Sequence, residues 1–106
     1  MAGTRMTVAT ALILGAMRDG ARYGFDIMDV TGLPSGTVYP ALRRLEANGC
    51  LRSTWEPAAD ALEAGRPRRR VYEVTPEGAA LLPAAREKLA SLPRLVGARI
   101  LHPREG

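Results

Sequence analysis

The sequence predicts a mainly α-helical domain with a two-stranded β-hairpin, arranged as a winged helix-turn-helix with a C-terminal dimerisation helix. Three observations predict this. Residues 35–49 have helical apolar spacing and end at Asn48-Gly49, a typical helix stop. Apolar and polar residues alternate after Gly49, as in a strand. A second helical pattern follows Pro76. The length of 106 residues suits one domain.

The first two predicted helices are short. The first runs from about Thr4 or Met6 to Arg18, and Gly20 follows as a stop. It has few charged residues, so we expect another subunit to cover part of it. The second runs over residues 23–30, and residues 31–34 form a tight turn that contains Gly32. A short helix, a turn with glycine and a third helix are typical of a helix-turn-helix.

The third predicted helix is the DNA-reading helix of this motif. We expect Ser35 to be its N-cap, because a serine oxygen accepts a backbone N–H of the first turn. Val38, Leu42 and Leu45 form one apolar stripe that can pack on a core. The rest of its surface carries hydroxyl groups and two adjacent arginines, which suits a DNA groove.

Two strands and a long tip make the predicted wing. Residues 51–56 and 70–75 alternate, whereas residues 58–66 have no strand pattern and are expected to form a loop. We expect Trp55 and Tyr72 to pack the hairpin on the helices. The scattered acids are expected to be solvated, and these are Glu46, Glu56, Asp60, Glu63 and Glu77.

Thr75 and Pro76 open the last predicted helix, as N-cap and first helical residue. Its apolar residues recur at alternating spacings of 3 and 4 from Leu82 to Val96, and this heptad-like seam predicts a dimer interface. Pro83 and Pro93 are expected to kink or break the helix. The predicted interface residues are Leu12, Ile13, Leu82, Ala85, Leu89, Leu92 and Val96. We therefore divide the chain into a DNA-binding part, 1–75, and a dimerisation helix with a tail, 76–106, in one structural unit.

Composition limits the function classes. The formal net charge of +4 favours a polyanionic partner. Cys50 is the one cysteine, which excludes an internal disulfide and favours a reducing cytoplasmic location. Cys50 suits a small buried apolar position, and a redox-sensing thiol is the alternative. The sequence has no apolar run long enough to span a membrane, and we interpret residues 8–17 as a helix of the mature domain rather than a signal peptide.

An enzyme is not predicted. His102 is the one histidine and stands near the C-terminal end, so the sequence offers no Ser-His-Asp, metal-ligand or phosphate-loop set. We therefore expect no catalytic residues, no metal and no cofactor.

The predicted third helix supplies six candidate DNA-binding residues, which are Ser35, Thr37, Tyr39, Pro40, Arg43 and Arg44. Arg43 and Arg44 can donate bidentately to guanine or phosphate, and a solvated face is the alternative. Thr37 suits a thymine methyl group or a phosphate, or else bonds locally at the helix start. Tyr39 offers a hydroxyl to DNA or packs on the wing. Pro40 lies near the first turn, and its missing N–H widens that turn towards phosphate.

The wing supplies three further candidates, Arg66, Arg68 and Arg69, with Arg70 beside them. Adjacent guanidinium groups repel one another unless an anion is near, and DNA phosphate or a narrow minor groove supplies one. A solubilising run is the alternative, and Arg70 also suits a structural position beside Tyr72.

Three strings of this sequence resemble the PadR family of transcriptional regulators. Residues 23–27 (YGFDI) resemble the opening of its second helix. Residues 36–46 (GTVYPALRRLE) resemble its recognition helix, and residues 65–78 (GRPRRRVYEVTPEG) resemble its wing and the start of its last helix. The resemblance implies a homodimer that binds a pseudo-palindromic double-stranded operator, mostly as a repressor, and often releases it in response to a small molecule or stress signal.

The sequence thus predicts a sequence-specific DNA-binding transcriptional regulator, most simply a homodimeric repressor. Two alternatives remain: a winged-helix protein-interaction module, and a subunit that binds DNA only beside a partner. We expect any effector to bind between the subunits, against the C-terminal seam and against Ala9, Leu12, Ile13 and Met17 of the first helix.

Overall fold

The computed structural model describes residues 4–92 of the chain. Within that range six helices and two strands follow one another in the predicted order, with one additional helix in the wing and the last helix divided in two. They are α1 (Val8–Arg18), α2 (Gly24–Thr31), α3 (Ser35–Ala47), β1 (Leu51–Trp55), α4 (Ala58–Ala64), β2 (Arg70–Val74), α5 (Pro76–Ala79) and α6 (Leu82–Ala90).

The first helix begins later than the sequence predicts. Thr7 is its N-cap, and the Thr7 side chain accepts a hydrogen bond from the Thr10 backbone N–H at 3.0 Å. At the other end Gly20 has a φ of 114°, which only glycine adopts readily, and this ends α1 as predicted.

The N-cap of α3 is Pro34, the last residue of the tight turn that follows α2, and not Ser35. Pro34 occupies the cap with extended backbone, and its carbonyl accepts the N–H groups of Thr37 and Val38. Ser35 is the first helical residue and makes no capping hydrogen bond, so the prediction for its side chain was wrong. The reason is that Pro34 already fixes the extended conformation that a cap requires. The Ser35 hydroxyl is therefore exposed at the start of α3.

The wing is an antiparallel hairpin in which Leu51 pairs with Val74 and Trp55 with Arg70. Its tip is not the predicted loop but the helix α4. This alanine-rich segment has high helix propensity and ends at Gly65, whose φ is 71°. Ala61 of α4 is buried, which gives the helix an inner face.

The last predicted helix is divided between α5 and α6. Thr75 caps α5 as predicted, and its hydroxyl oxygen accepts the N–H of Gly78 at 3.1 Å. Pro83 lies in the first turn of α6, where its missing N–H is tolerated, and α6 begins at Leu82 as a helix separate from α5. This confirms the predicted interruption at Pro83. Pro93 and Val96 lie outside the described residues.

The core joins the helix-turn-helix to α6. Ile13 and Leu14 of α1 are fully buried in the same cluster as Leu42 and Leu45 of α3 and Ala85 of α6. Cys50 is buried too, in agreement with its predicted apolar position. Of the helices described in this range, none is long and apolar enough to cross a membrane.

This packing corrects part of the predicted dimer seam. Ile13 and Ala85 are buried inside the single chain, in one core cluster, because α6 packs directly on α1. They therefore have no surface for a second subunit. Ile13 is fully buried and is therefore removed from the predicted effector surface as well, whereas Met17 lines an open cavity together with Leu82. The other described residues of the seam remain half-buried, and these are Leu12, Leu82, Leu89 and Leu92.

Candidate nucleic-acid interface

The outward face of α3 carries two arginines on a rigid support. Val38, Leu42 and Leu45 are buried, so the predicted apolar stripe fixes the helix on the core. Arg43 and Arg44 are exposed, and within residues 4–92 neither makes an ion pair or a side-chain hydrogen bond. Their guanidinium groups are therefore available to an external anion.

The first turns of α3 present hydroxyl groups beside these arginines. Ser35 is exposed and Thr37 half-buried, and no hydrogen bond of either side chain occurs in the described part of the chain. Pro40 is half-buried, and α3 continues through it to Ala47.

Tyr39 packs against the start of the neighbouring helix α2 and is also partly exposed to solvent. Its ring lies so close to the Cα of Gly24 that a Cβ added there would be 2.5 Å from ring atoms. Tyr39 is nevertheless 37% exposed. The absence of a side chain at Gly24 thus lets the tyrosine lie against the start of α2 while part of its surface faces outward.

An open groove connects α3 with the wing. Its volume is about 140 Å³, and aromatic rings and two guanidinium groups line it. The lining residues are Tyr23, Gly24, Phe25, Tyr39, Arg69, Arg70 and Tyr72. The recognition helix, the start of α2 and β2 therefore share one continuous surface.

The wing arginines, in contrast, have partners. Arg66 donates two hydrogen bonds to the Glu56 carboxylate, at 2.6 and 2.9 Å. The Arg69 guanidinium lies 3.6 Å from the centre of the Tyr23 ring, and its terminal nitrogen is 3.5 Å from Glu56 Oε2. Arg68 Nε donates to the Glu56 backbone carbonyl at 2.8 Å, although Arg68 is exposed. The structure thus gathers all three predicted wing residues around Glu56, two of them at its carboxylate and Arg68 at its backbone carbonyl.

Glu56 is the central residue of this cluster, and the sequence did not predict it. It was expected to be solvated, but it is only 5% exposed. The hydrogen bonds from Arg66 are the main cause that lowers the Glu56 pKa from 4.5 to about 2, with help from the Arg69 backbone N–H and against the effect of burial. The sequence carried no signal that distinguishes Glu56 from Asp60 and Glu63, which also precede the arginines, and only the charge partners supplied by the fold make its burial favourable.

Tyr72 and Trp55 differ from each other, although both were expected to pack on the helices. Tyr72 is buried, its backbone N–H donates to the Arg22 carbonyl at 2.8 Å, and burial raises its pKa. Trp55 is 54% exposed, so its prediction was wrong. Trp55 lies at the far end of the hairpin from the buried Leu51, where the Arg70 guanidinium is 5.1 Å from its ring. Arg70 is exposed and also donates to the Ser53 hydroxyl at 3.1 Å.

A comparison with protein families agrees with this geometry. Residues 13–84 match the transcriptional regulator PadR-like family, a range that contains the helix-turn-helix, the wing and the start of α6. The chain belongs to the PadR-like family. As a member, it is a DNA-binding transcriptional regulator and not an enzyme. No curated protein matches the chain.

Solved structures match this PadR-like regulator over most of its length. A PadR-family regulator from Clostridium difficile R20291 is 23% identical, with a TM-score of 0.68 over 86% of this chain and 96% of that one. A PadR-family regulator from Eggerthella lenta DSM 2243 is 28% identical, with a TM-score of 0.61 over 83% and 77%. BpsR from Bordetella bronchiseptica, whose DNA binding is regulated by 6-hydroxynicotinic acid, is 24% identical, with a TM-score of 0.69 over 86% and 61%.

Proposed function

We propose that this PadR-like regulator is a homodimeric repressor that reads a pseudo-palindromic double-stranded operator with α3. One observation carries the proposal. The exposed arginines of α3 have no partner in residues 4–92, and the groove beside Tyr39 joins this helix to the basic wing. Such a surface matches the charge and shape of duplex DNA.

The two parts of this surface have different tasks in the proposal. Arg43 and Arg44 read guanine in the major groove or bind its flanking phosphates, because a guanidinium donates bidentately to either. Ser35 and Thr37 bind phosphate or a thymine methyl group from the first turn of the helix. Arg68 contacts the phosphate backbone of DNA from the wing. Its Nε is bound to the Glu56 carbonyl, but its terminal nitrogens have no hydrogen bond within the described residues and can donate to phosphate.

Selection of bound sequences from random duplex DNA by the purified protein tests this proposal. We expect enrichment of an inverted repeat whose half-sites are about one helical turn, roughly 34–36 Å, apart. Failure to retain any duplex even at low salt would contradict DNA binding by this chain alone. That result would favour a protein-interaction module or a partner-dependent subunit.

The dimer in this proposal uses the half-buried remainder of the seam, namely Leu12, Leu82, Leu89 and Leu92. An acidic substitution there places a charge in the interface, so we expect Leu12→Glu to shift the protein from dimer to monomer in light scattering. Leu62→Glu is the matched control, because Leu62 is 82% exposed on the wing helix α4. A wild-type monomer at micromolar concentration would contradict the dimer.

The remaining parts of the proposal concern regulation and organisation. The DNA binding of the similar BpsR is regulated by 6-hydroxynicotinic acid, which supports a small-molecule effector here. We place its site between the subunits, near Ala9 and Leu12 and the half-buried seam. Residues 1–75 then bind DNA and residues 76–106 dimerise, in the cytoplasm where chromosomal DNA is located.

A further inference from the structure

We propose that Glu56 is a positioning residue for DNA binding. It holds Arg68 and Arg69 in place on the wing and removes Arg66 from the set of residues that contacts DNA. This inference rests on the proposed function, because it assigns separate tasks to the wing arginines.

The first argument is the state of Arg66. Both terminal nitrogens of its guanidinium donate to the carboxylate of the buried Glu56, at 2.6 and 2.9 Å. The same ion pair raises the pKa of Arg66. A phosphate that drew Arg66 away would replace this bidentate pair and leave the buried carboxylate with Arg69 as its remaining charge partner, at 3.5 Å, which is unfavourable. Arg66 is therefore a partner of Glu56 and not a DNA ligand.

The second argument is that Glu56 connects the two sides of the wing just beyond the hairpin. The Glu56 backbone N–H donates to the Arg69 carbonyl at 2.8 Å, and the Arg69 N–H donates back to Glu56 Oε1 at 3.2 Å. The Glu56 carbonyl accepts from Arg68 Nε at 2.8 Å. These bonds close the segment that carries α4 and fix the direction in which Arg68 leaves the backbone.

The third argument links the wing to the helix-turn-helix. Arg69 lies between Glu56 Oε2, at 3.5 Å, and the Tyr23 ring, at 3.6 Å from its centre. Tyr23 is the N-cap residue of α2. Glu56, Arg69 and Tyr23 thus form a continuous contact from the wing to the helix that packs on α3. Loss of the Glu56 carboxylate removes the first member of this contact and loosens the wing against α3.

The substitution Glu56→Gln separates positioning from simple charge. Removal of a negative charge beside several arginines would by itself strengthen binding to DNA. Positioning predicts the opposite, because mobile arginines must be ordered when DNA binds. We expect the affinity for a random-sequence duplex to fall by about 2–12-fold, the range for immobilising one long side chain. An increase in affinity would overturn the proposal.

Arg66→Ala and Arg68→Ala form the matched pair. The affinity for the same duplex is measured against salt concentration. Each phosphate contact contributes about 0.9 to the slope of log affinity against log salt, so we expect Arg68→Ala to reduce the slope by about that amount. We expect Arg66→Ala to weaken binding with an unchanged slope, and the double variant Glu56→Gln/Arg66→Ala to lose no more than either single variant. A reduced slope for Arg66→Ala would overturn the proposal.

A measurement without DNA distinguishes failure of this inference from failure of the proposed function. Trp55, the one tryptophan, precedes Glu56, so its fluorescence reports on this end of the wing. We expect Glu56→Gln to increase acrylamide quenching of Trp55 at unchanged far-ultraviolet circular dichroism, and unchanged quenching would overturn the proposal. If Glu56→Gln fails to fold, the comparison of Arg66→Lys with Arg66→Ala replaces it: Arg66→Lys keeps the charge and is expected to restore wild-type quenching. A wild-type protein that binds no duplex contradicts the proposed function, and the quenching of Trp55 then still tests whether Glu56 orders the wing.

Discussion

The recognition helix and the wing both present arginines, but they hold them in different ways. Arg43 and Arg44 extend from α3 without a partner in the described residues, whereas Arg66 and Arg69 are bound to Glu56. The helix needs no such partner, because its own hydrogen bonds and its buried apolar face already fix its backbone. The comparison teaches that cations on a rigid element can stay available, whereas cations on a loop need a counter-charge to be positioned.

The supports of the two regions differ accordingly. Three apolar side chains beneath α3 are buried in the main core, whereas the wing has only two strands. A two-stranded hairpin is marginally stable by itself. Beyond Tyr72 the far end of the wing buries Ala61 of α4 and otherwise depends on polar contacts around Glu56 and on the Arg70–Trp55 contact. Apolar packing thus orders one half of the interface, and charge pairing is the main support of the other.

Replacement of a leucine by alanine in each region gives the largest expected difference, which is in the free energy of unfolding. Leu42→Ala removes a fully buried side chain beneath α3, and we expect it to lower the free energy of unfolding by about 2–5 kcal/mol. Leu62→Ala on α4 changes a side chain that is 82% exposed, so we expect an effect within about 0.5 kcal/mol. Urea unfolding followed by circular dichroism measures both. A large loss for Leu62→Ala would mean that the wing tip contributes to a packed core or an interface.

An intermediate effect is expected for the arginines that have no protein partner. If Arg43 or Arg44 reads a base, its replacement by alanine reduces discrimination between operator and random DNA by about 1–3 kcal/mol. Arg68→Ala weakens binding to both DNAs alike, because phosphate contacts carry no sequence information. Titration of both duplexes at several salt concentrations separates these effects.

Equal losses on both duplexes for Arg43→Ala, Arg44→Ala and Arg68→Ala would contradict the division between a reading helix and a positioning wing. The substitution Arg18→Ala serves as a control, since Arg18 pairs with Asp19 at 3.1 Å at the end of α1 and is no part of the proposed surface.

The smallest expected effect is a loss of order in the wing alone as the pH falls. The Glu56 pKa is about 2 in the folded protein, below its ordinary 4.5, so the unfolded state binds the proton more tightly. The contribution of Glu56 to stability is therefore complete above about pH 4.5 and is lost as the pH falls towards 2. Trp55 fluorescence of the wild type and Glu56→Gln across this range measures it. We expect a transition in the wild type that is absent in the variant, and identical profiles would contradict the role of this carboxylate.

Local pattern was enough to predict the helix-turn-helix. The spacing of Val38, Leu42 and Leu45 predicted the inner face of α3, and Gly49, with a φ of 78°, ends that segment as its position suggested. Thr75 and Pro76 likewise marked the start of α5. These features depend on residues within a few positions of one another, and such short-range preferences are legible in a single sequence. The strings that resemble the PadR family lie in these same segments.

The sequence by itself determined the order of the main elements, the inner face of α3 and the supply of arginines. Only the tertiary structure decided which arginines remain available, because Glu56 and Arg66 are separated by α4 and meet only after the hairpin register is set. Tertiary packing also placed Ile13 and Ala85 inside one chain and left Trp55 exposed. An apolar or charged side chain has many satisfactory partners, and the sequence pattern does not say which of them the fold brings within reach.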